Sequence, residues 1–152
     1  MKTKIIFIGV TVLLIGLVVV TAILSNNKPL DPELINSSVE DIVFEEEKVN
    51  IYYFWGNGCP HCKDQFKWFE EIKDEYGEYF NLYGFEIWHN EDNAKLLRDL
   101  TNILDENVRG VPFTIIGEKV YSGFSNPMKT SMLNTIKEQA TNDFDVYQEF
   151  IS

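Results

Sequence analysis

The sequence predicts an α/β domain carried behind an N-terminal transmembrane helix. Three observations lead there. Ile5 to Leu24, "IIFIGVTVLLIGLVVVTAIL", is twenty residues without a charge or a proline. Lys48 to Trp55, "KVNIYYFW", is a β-branched and aromatic run leading into "GNGCPHCK", which holds both cysteines of the chain. Behind the cysteines, helical and strand patterns alternate and close with a hairpin and a last helix.

The first element is the apolar run. As a helix it rises about 30 Å, enough to cross a bilayer's hydrocarbon core. A helix in a soluble core normally shows a polar face, and this run has none. Lys2 and Lys4 precede it, so the positive-inside rule puts the N-terminus in the cytoplasm and the domain outside. A cleaved signal peptide usually has an apolar region of about 7–15 residues. Val20-Thr21-Ala22 is a loose cleavage site, but the longer run favours an uncleaved signal anchor over residues 1–25. Residues 26–47 are expected to be a polar tether and lead-in, with two prolines and a short helical turn near Val39 to Phe44. The domain then occupies residues 48–152.

The whole chain of 152 residues carries a net charge of −11, more negative still beyond Lys2 and Lys4. That disfavours nucleic acid and anionic headgroups as partners of the domain, because both require basic patches. Acidity here reads as a means of solubility.

Within the domain, "KVNIYYFW" is too apolar for an edge and predicts a central strand buried on both faces. Phe66, Phe69, Ile72 and Tyr76 recur at helical spacing, opposite Lys63, Asp64, Lys67, Glu70, Glu71, Lys73 and Asp74, with Gly77 as the stop. "NLYGFEIW" is a second strand. "NEDNAKLLRDLTNILDE" is a second amphipathic helix, with Leu96, Leu97, Leu100, Ile103 and Leu104 inward. "VPFTIIGEKVYSGF" predicts a hairpin turning at Gly117-Glu118. Asn126-Pro127 signals a helix start, with Met132, Leu133 and Ile136 on its apolar side. Phe144, Tyr147, Phe150 and Ile151 predict a final docked turn.

The two cysteines admit three chemistries. Structural zinc needs four ligands, and only His61 and His89 are available besides the sulfurs. His61 lies between the cysteines and points away from a metal they share. Copper delivery through both thiolates and His89 is a better match. A purely structural disulfide closing so small a loop removes little chain entropy. Redox exchange explains the placement best. The pair follows a buried strand and opens a helix, where free backbone N–H groups and the positive helix end favour a Cys59 thiolate. The thiolate is the species that attacks and leaves in exchange, so Cys59 is the nucleophile. Pro60 and His61 sit in the first turn and tune that sulfur, and Cys62, deeper in the helix, resolves.

"FWGNGCPHCK", followed by "RGVPFTIIG" and then "SGF", resembles the thioredoxin superfamily from about Lys48 to Gln139. The resemblance implies a thioredoxin-like fold, a central mixed β-sheet flanked by helices. It also implies a cis Val111-Pro112 bond facing the sulfurs, whose backbone pairs with a bound substrate chain. Cys-Pro-His-Cys, and the valine before Pro112, are similar to DsbA-type disulfide oxidases. Two departures stand out. The chain is too short for the helical insertion of that type, and Tyr53 stands where many relatives have a buried acid that handles the resolving thiol's proton.

The reading favoured by compartment and dipeptide is an extracytoplasmic oxidase of secreted or surface proteins. It needs no cofactor beyond the Cys59–Cys62 pair, and a membrane redox partner restores it. A reductase or isomerase fed by a membrane donor, and a non-catalytic binding or copper-delivery module, remain as alternatives. The expected substrate surface is Cys59, Val111, Pro112 and Trp55, the last of which also fits the core. Phe113 and Tyr121 are expected in the core, and His89 in a surface loop.

Overall fold

The computed structural model describes residues 34–152. The expected span Ile5 to Leu24 lies outside them. Among the described residues no helix is long and apolar enough to cross a membrane.

Four strands form one sheet in the order β2-β1-β3-β4: β1 (Val49–Trp55), β2 (Phe80–Glu86), β3 (Phe113–Ile116) and β4 (Lys119–Ser122). β1 and β2 are parallel, which requires a crossover, and helix α1 (Pro60–Tyr76) supplies it. β3 and β4 form the expected hairpin, antiparallel to each other and to β1. Gly117 takes φ +56° in its turn, a left-handed conformation that glycine adopts without strain.

All seven residues of β1 are buried, as a central strand requires. Ile51, Tyr53 and Trp55 face Trp68 and Phe69 of α1, with Met132 and Ile136 of α3 (Asn126–Gln139). Tyr52 and Phe54 face the other layer. It holds Leu96, Leu97 and Leu100 of α2 (Glu91–Ile103) and Val146 of α4 (Val146–Ile151). The sheet is thus covered on both faces, and its long aromatic strand lies between two apolar cores.

Several boundaries differ from expectation. β2 stops at Glu86 rather than Trp88, because the Glu86 carboxylate accepts the N–H groups of Trp88 and His89 and turns the chain. Ile103 is 41% exposed. Thr101, one helical step from Leu97, continues the buried stripe instead and bonds the Leu97 carbonyl at 2.9 Å. α3 is capped by Ser125, so Asn126 is already helical.

The lead-in does more than connect. Leu34 is buried, and Ser37 N donates to the Gly84 carbonyl at 2.7 Å while Gly84 N donates to Ser37 Oγ at 3.1 Å. The segment therefore covers the outer edge of β2, which would otherwise present unpaired backbone groups. A 3-10 turn at Val39–Asp41 follows, within the stretch where a helical turn is expected.

Candidate active site

Three strand ends meet at one end of the sheet. The register sets Trp55 beside Glu86 and Phe54 beside Phe113. The loops after β1 and β2, and the one before β3, therefore open together. Both cysteines, Glu86 and Val111-Pro112 come from these segments.

The first loop delivers the sulfurs. Cys59 N donates to the Gly56 carbonyl at 3.0 Å, and Gly58 between them sits at φ +86°, a conformation costly for any residue with a Cβ. Cys59 then caps α1. Its Sγ accepts the Cys62 N–H at 3.2 Å, and Pro60 takes the first helical position, where its missing N–H removes no bond. Cys59 and Cys62 are joined by a disulfide, with Cα atoms 5.3 Å apart. Cys62 is wholly buried, whereas Cys59 keeps a small exposed area and is the more accessible of the two. In the reduced pair the same N–H and the helix dipole favour negative charge on Cys59.

Beneath the sulfurs lies a small polar set. Tyr53 is wholly buried and donates its hydroxyl to the Cys62 carbonyl at 2.6 Å. Burial pushes its phenol well above the ordinary value, so it stays protonated and holds α1 rather than taking a proton. Gln65, one turn beyond Cys62, donates from Nε2 to Thr114 Oγ1 at 2.8 Å. Its Oε1 is the one buried side-chain oxygen or nitrogen without a hydrogen-bond partner among the described residues. β1 thus places a hydroxyl, not a carboxylate, under Cys62.

The other expected site residues divide. The Val111-Pro112 bond is cis. Val111 packs, half-buried, against the cluster that contains both cysteines, and the Pro112 carbonyl accepts Gly123 N at 2.7 Å. Pro60 and His61 are exposed on the first turn of α1. Trp55 is corrected. It is fully buried, and its Nε1 donates to the Ile35 carbonyl at 2.8 Å, so it is a core residue with no face for a substrate. Phe113 is in the core, and Tyr121 is half-buried with its hydroxyl 2.8 Å from Thr135 Oγ1. Among the described residues no group of three or more His, Cys, Asp or Glu is arranged to hold a metal ion.

Two residues at this end were not singled out from sequence. Glu86 is a buried carboxylate that ties the loops together. Oε1 accepts Asn57 N at 3.1 Å and Trp88 N at 3.0 Å, and Oε2 accepts His89 N at 2.9 Å. His89, in the exposed loop as expected, brings its Nδ1 to 3.2 Å from Oε1. Burial alone would raise the carboxyl's pKa, but the bonds from His89, Asn57 and Trp88 outweigh it and hold the group below its ordinary value. Trp88 is 56% exposed, and its indole lies so close over Gly56 that an added Cβ there would clash with the ring. A glutamate closing an otherwise apolar strand was the signal available for Glu86.

The chain has a thioredoxin-like fold. The solution structure of an uncharacterized thioredoxin-like protein from Clostridium perfringens superposes with TM-score 0.50 at 24% identity, covering 78% of this chain and 94% of that one. A putative thiol:disulfide interchange protein DsbE from Chlorobium tepidum gives TM-score 0.48 at 14% identity, over 62% of this chain and 82% of that one. Thioredoxin from Trypanosoma brucei brucei gives 0.46 at 16%, over 74% and 94%. No family model matches the sequence, and no curated protein matches it.

Proposed function

We propose that the protein is a thiol–disulfide oxidoreductase, anchored in the membrane with its domain outside the cytoplasm, that oxidises thiols of secreted or surface proteins. The observation that carries the reading is the Cys59 sulfur at the head of α1, accepting the Cys62 N–H at 3.2 Å beside a buried partner sulfur.

A client thiolate attacks Cys59 Sγ. A client–Cys59 disulfide forms, the Cys59–Cys62 bond breaks, and Cys62 leaves with the electron pair and takes a proton. The client's second thiolate then attacks its own sulfur in the mixed disulfide and expels Cys59 as thiolate. The client is oxidised by two electrons and the protein holds them as a dithiol. A membrane partner bearing a disulfide of its own takes the pair and restores the bond. A helix start that stabilises the Cys59 thiolate favours the reduced protein, and so makes its disulfide the stronger oxidant. Pro60 sets this helix start, His61 supplies a cation or donor on the same turn, and the Val111-Pro112 backbone lies along the client chain.

Alkylation trapping of Cys59 and Cys62 in intact cells tests the direction. A mostly oxidised pair supports the oxidase, and a mostly reduced pair assigns a reductase instead. A Cys62→Ala variant that accumulates no client on Cys59 would remove catalytic exchange altogether.

A further inference from the structure

We propose that Trp88 selects clients, by contacting an apolar side chain two residues from the client cysteine that attacks Cys59. The inference rests on the exchange reading above and adds a residue to it. Trp88 is a large aromatic left 56% exposed, yet it is fixed in place. Its N–H is held by Glu86 Oε1, the same atom that holds Asn57 N, and its ring covers Gly56. Gly56 in turn accepts the Cys59 N–H, closing a four-residue turn whose ends lie within about 7 Å of each other. The indole is therefore built onto the loop that carries the nucleophilic sulfur.

The space beside it is open. Gly58 is exposed, and a Cβ added there would meet nothing within 4 Å. An extended client chain advances about 3.3 Å per residue and shows every second side chain on the same face. A side chain two residues from the client cysteine is thus about 7 Å away, which is on the scale of the turn that joins Cys59 to the residue under the indole. An aromatic or aliphatic group there gains a stacking or apolar contact worth about tenfold in rate.

The test uses the full-length oxidised protein in detergent and a pair of two-cysteine peptides, differing only in Phe or Ser two residues from the attacking cysteine. Each rate constant for reduction is divided by that variant's own rate with dithiothreitol, which has no flanking side chain, so changes in the disulfide itself cancel. The wild-type protein is expected to prefer the Phe peptide about tenfold, Trp88→Ala to lose the preference, and Trp88→Phe to keep most of it. A preference that survives in Trp88→Ala, or is missing from a wild-type protein that exchanges normally, overturns the inference alone. A wild-type protein inert toward dithiothreitol and both peptides overturns the exchange reading as well.

Discussion

Replacing Glu86 by leucine tests whether a buried carboxylate organises the end of the sheet. The side chain is 2% exposed and receives three backbone N–H groups, from Asn57, Trp88 and His89. A donor stripped of its partner in a buried site costs about 1–3 kcal/mol. Asn57 is only half-buried, and Trp88 and His89 are exposed, so water re-pairs part of that loss. The expected destabilisation is about 2–3 kcal/mol for Glu86→Leu. Glu86→Gln keeps the shape but aims an amide donor at backbone donors, and should lose about half as much. Urea unfolding followed by circular dichroism measures both. The pH dependence adds a sign. The carboxyl's folded pKa lies below its ordinary value of 4.5, so its contribution is present above that value and is lost as pH falls through the folded pKa. Glu86→Gln should lack this part of the acid destabilisation. A Glu86→Leu protein within about 0.5 kcal/mol of wild type would refute the account.

Other perturbations probe the supports of the fold as well as those of the site. Asp145 caps α4 through the N–H groups of Tyr147 and Gln148 and accepts the buried Tyr52 hydroxyl at 2.8 Å and Asn50 Nδ2 at 3.0 Å. Asp145→Ala should therefore cost about 3 kcal/mol, read as a fall in midpoint with unchanged slope in urea. At Gly84, an added Cβ would meet the Ile35 carbonyl oxygen at 2.6 Å. Gly84→Ala should cost about 1–3 kcal/mol and expose the segment around Ile35 to protease before the rest of the domain unfolds. Tyr53→Phe removes the 2.6 Å bond to the Cys62 carbonyl and should cost about 1 kcal/mol. It should leave insulin reduction within a few-fold of wild type, and a hundredfold loss would give the hydroxyl a chemical role.

What was legible in the sequence is what is local. The buried β1, the α1 start at Pro60 and the turn at Gly117 each follow from a few consecutive residues. Cys59 as helix cap follows from the same stretch, and with it the deeper placement of Cys62. The rest depends on pairings across the chain. Trp55 reads equally well as core or surface until Ile35, twenty residues earlier, is seen to take its indole N–H. Glu86 takes the N–H groups of Trp88 and His89 locally, but it reaches Asn57 only once β2 lies parallel to β1 and brings its end beside the cysteine loop. The lead-in looks like a tether because its hydrogen bonds to Gly84 involve backbone and one serine, which leave no hydrophobic period to read.

This division bears on how the site could change. The helix start at Cys59 lies within four consecutive residues, Cys59 to Cys62, and on the proposed reading an alteration of Pro60 or His61 would act on the sulfur through that turn. Trp88 is tied to the cysteine loop through Glu86, Asn57 and Gly56. The indole is exposed and contributes little to either core, so its replacement leaves the helix cap and the Cys62 N–H intact. If the proposed exchange and the proposed role of Trp88 hold, redox strength and client preference would rest on separable parts of one loop system. Substitutions at residues 60 and 61 should shift the reduction potential for every client alike, whereas substitutions at residue 88 should reorder clients at a constant potential.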